Sequence, residues 1–293
     1  MKRIVICYFL ILSPLTFNVV YSQMALHSQY NTLFLNGKIA MKNGDYIQAI
    51  TYFDSASFLF PHFHKPYFEA VICATQLGDY EKAYNIAVKM ILTGSSFSIS
   101  QEVLGGFCET DYYKLLKSKE DSLYKLSMQE RDTAFANAIF ELYRMNQSKG
   151  IQKDTITFYK FIDICEQKKV FPSYLNVGTD AYRKAFWLLK NSYWHSGYPK
   201  SKEWLKLLPL ITNEFMSGGI EAYVLPEFED AYRSNNNIPL KYGIFSMDYQ
   251  NDTFLPIENL NKNRKEVGLA PFELDAKCLD INLNSLQYNN GDY

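Results

Sequence analysis

Gly44-Asp45-Tyr46-Ile47-Gln48-Ala49 returns downstream as Gly78-Asp79-Tyr80-Glu81-Lys82-Ala83. The offset is one period of about 34 residues, the length of a stacked helical hairpin. Each residue in the recurrence has a physical reason to be there. Glycine fits the turn through which a first helix cannot continue. Tyr46 and Tyr80 stand at the start of a second helix, and the small residues Ala49 and Ala83 let two helices approach closely.

Working outward, Leu33 and Gly37 fall on a first helix, Ala49, Phe53 and Ala56 line its partner, and Pro61 ends the unit. Tyr67, Ala74, Gly78, Tyr80 and Ala83 repeat the arrangement, and Ala87 and Met90 depart from it. These residues resemble the tetratricopeptide repeat family over residues 30–97. The resemblance implies stacked hairpins with a concave face that binds peptides or helices. Such arrays need about three layers. Gln101–Leu104 and Tyr112–Leu126 both read as helical, broken by Gly105-Gly106, and are placed to supply the third. Lys38 and Lys42 lie one helical turn apart on the face that should look into the groove, which makes them the candidate partner-binding residues.

Upstream, Lys2 and Arg3 precede an apolar stretch from Ile4 to Val20, and Val20-Tyr21-Ser22 supplies small residues before a cut between Ser22 and Gln23. That is the pattern of a cleaved signal peptide, residues 1–22, rather than of a membrane span. It places the mature chain in the periplasm or the secreted medium. Cys7 lies inside the apolar region. Cys73, Cys108, Cys165 and Cys278 follow at spacings that give no disulfide framework. Buried free thiols are the simpler expectation, with Cys73 and Cys108 the pair most able to join.

The 293 residues suggest two domains. With 47% apolar residues the chain has enough for real cores, and a formal charge of -1 leaves no electrostatic footprint for nucleic acid. After Met128 the pattern changes to helices at Asp132–Met145, Asp154–Glu166, Asp180–Leu189 and Ser201–Met216, the last capped by Ser201 and ended by Gly218-Gly219. A short helix at Glu227–Arg233 and a helical turn at Lys262–Val267 complete the set, with a small β-hairpin pairing Lys241–Met247 and Thr253–Ile257. The expected organisation is therefore mainly α. It comprises a signal peptide (1–22), tetratricopeptide-like hairpins (25–125), a mainly helical domain with one short β-hairpin (126–283) and a flexible tail (284–293).

Phe171-Pro172-Ser173, Val177-Gly178 and Ala185-Phe186-Trp187-Leu188-Leu189 stand in order ahead of Asp230, Tyr242-Gly243, Pro256-Ile257-Glu258, Arg264 and Val267-Gly268-Leu269. As an ordered set they resemble, in degenerate form, an uncharacterised bacterial family (domain of unknown function 6624). The chain departs from that family at Lys190-Asn191, where it tends to carry Gln-His, at Ala231 and Asn263, where it tends to carry Arg, and at Leu240 and Ile244-Phe245, where it usually has polar Gln and Thr-Gln. The resemblance thus implies a lost or altered activity. Asp230, Tyr242, Glu258 and Arg264 remain as the candidate ligand pocket.

Other constellations carry less. His62-Phe63-His64 offers half a metal site with no third ligand nearby. Ser122 and Lys125 share a helix face, as a serine–lysine pair would, without the companion motifs of such enzymes. His195 stands alone. There is no phosphate loop, no zinc-protease motif and no nucleophile elbow. No catalytic residue, metal or cofactor is assigned. The leading expectation is an exported, non-catalytic interaction module with an unidentified protein or peptide partner. The alternatives are an enzyme or small-ligand binder using the C-terminal pocket, or a structural envelope accessory protein.

Overall fold

A computed structural model describes residues 14–148, 155–196, 198–244 and 252–288. The protein is mainly α. Thirteen α-helices, two short 3-10 helices (Gly105–Glu109 and Leu283–Ser285) and one two-stranded β element account for the regular structure of the described residues. The N-terminal array consists of α1 (Pro14–Lys42), α2 (Tyr46–Leu59), α3 (His64–Gln76), α4 (Tyr80–Leu92), the single turn α5 (Gln101–Leu104) and α6 (Asp111–Ser127). α1, α2, α3, α4 and α6 each pack on the next.

The recurrent Gly-Asp makes two identical turns. Gly44 and Gly78 have positive φ, of 78° and 71°. The Gly44 and Asp45 amides donate back to Met41 and Ala40, and the Gly78 and Asp79 amides to Thr75 and Ala74. This closes the first helix of each hairpin with a left-handed cap. The same aspartates then open the second helix, Asp45 accepting from Gln48 N–H and Asp79 from Lys82 N–H, both at 3.1 Å. Ala49, Phe53, Ala74, Ala83 and Ala87 are fully buried between the layers, and Leu116 of α6 closes the same core.

Gly37 shows how tight the first hairpin is. A Cβ there would lie 2.5 Å from Cε1 of Phe53, a ring with no exposure of its own. Gly37→Ala should therefore destabilise the protein by about 2 kcal/mol through overpacking, outweighing alanine's better helix propensity. Urea denaturation of the variant checks this.

The remainder comprises α7 (Thr133–Ser148), α8 (Thr155–Lys168), α9 (Thr179–Ser196), α10 (Lys202–Met216), α11 (Val224–Asn235), α12 (Ile257–Glu266) and α13 (Phe272–Leu279). Asp132 caps α7 through Phe135 N–H, and Ser201 caps α10 through Trp204 N–H. α13 is a helix that the sequence patterning did not indicate.

The β element differs from the expected hairpin. β1 (Thr253–Phe254) pairs in parallel with β2 (Gln287–Tyr288), and Leu240 bridges Phe254, also in parallel. Residues 245–251, where the turn was expected, lie outside the described residues. The physical reason is a small apolar cluster of Leu240, Phe254, Leu260, Phe272 and Leu286. Burying Leu286 there brings the C-terminal segment alongside β1, with Gln287–Tyr288 paired to it. Residues 289–293 lie outside the description.

The expected boundary near residue 125 is not a seam in the packing. Tyr30, Ala56, Phe60 and Phe63 of the hairpins share one core with Phe135, Phe161, Tyr174, Tyr182, Leu189, Trp204 and Phe228. The loop after α4 is tied to the start of α9, with Thr179 N–H and Asp180 N–H donating to the Thr93 and Gly94 carbonyls. α1 runs unbroken across Ser22 and Gln23, and residues 1–13 of the expected signal peptide lie outside the description. The four cysteines that follow that segment are free. Burial pushes the Cys73 thiol up to about 12 and the Cys165 thiol higher still. No helix among the described residues is long and apolar enough to cross a membrane.

Candidate functional site

Two concavities follow the length of α1, and α13 borders both. The outer one is an open groove of about 480 Å³ lined by Lys38, Met41, Lys42, Tyr46, Ile72, Gln76 and Cys278. The two sequence-predicted partner-binding lysines therefore do stand in its wall, but neither is idle. Lys38 pairs with Glu69 at 2.8 Å. Lys42 donates to the Cys278 carbonyl at 3.4 Å and pairs with the Asp280 carboxylate. Asp280 is the left-handed cap of α13, so the negative end of that helix rests on Lys42.

The inner concavity is a cleft of about 190 Å³ between α1, α3 and the segments around α11 to α13. Its floor is a buried charge network. Glu221, 2% exposed, accepts from the hydroxyls of Tyr174 and Tyr182, both at 2.6 Å. Lys65 Nζ lies 3.3 Å from the same carboxylate and donates to the Tyr223 hydroxyl at 2.9 Å. Burial opposes ionisation of Glu221, but the Lys65 charge and the two tyrosine hydroxyls outweigh it and hold its carboxyl below the ordinary value. Burial also works against the Lys65 charge, and Tyr223 and Glu221 more than offset it. The network thus sets a paired ammonium and carboxylate beneath the cleft.

The four residues of the expected ligand pocket meet differently. Asp230 has no exposed surface and accepts from the amides of Lys241, Tyr242 and Ile244 at 2.7–3.1 Å. Arg264, 1% exposed, donates to the carbonyls of Tyr242 and Ala270 and pairs with Asp275. Asp230, Tyr242 and Arg264 thus converge on the peptide groups of one loop, fixing its path from both sides. They do not surround an open space together. Burial raises the Asp230 carboxyl to about 6, against the pull of the three amides. Glu258 is exposed in the first turn of α12 and takes no part in this brace. Of the four, only Arg264 lines the cleft.

The remaining candidates are accounted for locally. His62 Nε2 donates to the Gly218 carbonyl at 2.6 Å, and His64 is buried beside Tyr174. Ser122 donates to the Lys119 carbonyl on its own helix. His195 lies in a stretch of α9 whose side chains are outside the description. Sequence reasoning missed Glu221, Lys65, Tyr174, Tyr182 and Tyr223. The one available signal was a lone acid in the glycine and apolar run Gly218-Gly219-Ile220-Glu221-Ala222.

The class that fold and site define is a helical-repeat-like, mainly α protein whose hairpins and C-terminal helices share one core beside a buried carboxylate, Glu221, paired with the partly exposed Lys65. No protein family matches the sequence, and no curated protein or solved structure matches it.

Proposed function

We propose that the chain is an exported, non-catalytic interaction module whose groove beside Lys38 and Lys42 takes an acid-bearing helical segment of a protein partner. One observation carries the reading: the groove already receives such an end from the chain itself. The carbonyl of Cys278 and the carboxylate of Asp280 meet Lys42, while the stretch along Lys38, Ile72 and Gln76 stays open. A partner would extend this use of the groove, exchanging Glu69 for its own carboxylate at Lys38. The likeness of the hairpins to tetratricopeptide repeats supports it, since that architecture presents a concave binding face. Export rests on Lys2-Arg3, the apolar stretch that follows and the cut before Gln23.

The test is capture from a cell-envelope extract by the chain from Gln23, set against its Lys38→Glu/Lys42→Glu variant. Deleting the hairpins is not a usable control, because Tyr30, Phe60 and Phe63 belong to the shared core. Both lysines are partly exposed, so their pairs contribute at most about 1 kcal/mol each and the variant should melt within a few degrees of the parent. A single stoichiometric protein should be recovered by the parent and at least tenfold less by the variant. Equal recovery by both would remove the groove from the proposal.

A further inference from the structure

The inner cleft contains an unmet hydrogen-bonding group. Tyr30 is 2% exposed, lines the cleft, and its hydroxyl has no partner among the described residues. Buried hydroxyls normally find one, and leaving one unmet costs stability. Beside it, Lys65 spends its N–H groups on Tyr223 and Glu221 and has a third to give, and its side chain is 36% exposed. Together they form one polar spot: a hydroxyl able to donate or accept, and a fixed ammonium donor.

The rest of the lining decides what fits. Phe34, Leu35, Ile244 and Leu269 make most of the wall apolar. The charges cancel in pairs, Lys65 with Glu221 and Arg264 with Asp275. An anion would be drawn to Lys65 but set beside Glu221, and a cation would face the opposite conflict. Either would sit in this half-buried space without a counter-charge of its own. A volume of about 190 Å³ exceeds the roughly 150 Å³ that accommodates benzene in an engineered apolar cavity, and it falls short of ordinary drug-sized pockets. We infer that this cleft binds a compact, uncharged, largely apolar molecule carrying one acceptor oxygen, of the ketone or amide class. The oxygen takes hydrogen bonds from Tyr30 and Lys65, and the apolar body lies against Phe34, Leu35 and Leu269. This site is distinct from the outer groove and does not depend on the interaction reading.

Cyclohexanone is a suitable probe, with cyclohexanecarboxylate and cyclohexylammonium as charged counterparts of the same body. Binding is followed by saturation-transfer NMR on the purified protein and on two variants. Tyr30→Phe removes the hydroxyl and keeps the ring, and Leu35→Trp fills the cleft. Cyclohexanone should bind the parent in the millimolar range and both charged counterparts several-fold more weakly. Binding should fall at least fivefold in Tyr30→Phe, the loss of one hydrogen bond, and disappear in Leu35→Trp. Tyr30→Phe should also melt at or above the parent temperature, because no existing hydrogen bond is lost, and this readout holds even if Leu35→Trp fails to fold. Three results would overturn the inference: cyclohexanone binding unchanged in Tyr30→Phe, stronger binding by either charged counterpart, or a lower melting temperature for Tyr30→Phe.

Discussion

Glu221→Ala should lose about 4 kcal/mol of stability at neutral pH, a large share of the roughly 5–15 kcal/mol that holds a typical domain. The carboxylate is 2% exposed and is held by Lys65 on α3, Tyr174 in the loop before α9 and Tyr182 on α9, with the Tyr223 hydroxyl a longer fourth donor at 3.5 Å. Removing it strands the two tyrosine hydroxyls, which have no exposure to reach water, at about 1–3 kcal/mol each. It also leaves the Lys65 ammonium with only Tyr223. That last part is the smaller one, because Lys65 is partly exposed and can recover hydration. Glu221→Gln keeps the shape and one acceptor oxygen and should lose about half as much. In a double-mutant cycle, Lys65→Met combined with Glu221→Gln should cost less than the two single losses added, since neither then leaves a lone buried charge. Urea denaturation of the four proteins gives the values. A Glu221→Ala variant within about 1 kcal/mol of the parent would mean that the network is solvated and not a staple.

This network shows where the sequence stops being informative. Gly44-Asp45 and Gly78-Asp79 could be read directly because their task is local: a positive-φ turn and a cap that reaches three residues ahead. Ser201 could be read for the same reason. Glu221 meets groups at positions 65, 174 and 182, and nothing near it in the chain announces them. Asp230 and Arg264 were picked out through the family resemblance, but their partners are mainly backbone amides and carbonyls, which every residue carries and no pattern displays. The β element was misassigned on similar grounds. The residues around Thr253 favour a strand whichever partner it takes, and the choice of Gln287–Tyr288 was made by the burial of Leu286 far along the chain. α13 escaped notice because its eight residues carry a short apolar face beside a run that looked like a polar tail.

Acid should unfold the protein earlier than its surface charges alone would predict, and the window follows from two buried histidines, His27 and His64, and the half-buried His62. His27 is stacked between Phe60 and Phe215 with no exposed surface. Burial lowers it to about 4, a shift that the Phe215 backbone and Glu221 only partly resist. His64 is lowered to about 3, again by burial, with Arg183 and Lys65 adding to the effect and Glu221 opposing it. His62 is lowered by burial too, despite its bond to Gly218. In the unfolded chain each takes up a proton near pH 6.5, whereas the folded protein resists until lower pH. Below pH 6.5 the unfolded state therefore binds more protons, and stability falls as pH drops, reaching its full loss for His27 near pH 4. The His27 contribution alone is about 3 kcal/mol. Asp230 acts in the opposite sense: raised to about 6, it binds its proton in the folded state first and adds stability as pH falls from 6 toward 4. One such carboxylate cannot offset three histidines, and Glu221, held low by Lys65 and its tyrosines, adds a further loss at the acid end. The variant that isolates the cause is His27→Phe, which keeps the aromatic stack and removes the titration. Its stability, followed in urea at pH 7, 6, 5 and 4 as approximate steps across the window, should fall by about 3 kcal/mol less than the parent's. Parallel curves for the two proteins would show that His27 is already hydrated in the folded state, and the acid sensitivity would then have to come from the carboxylates.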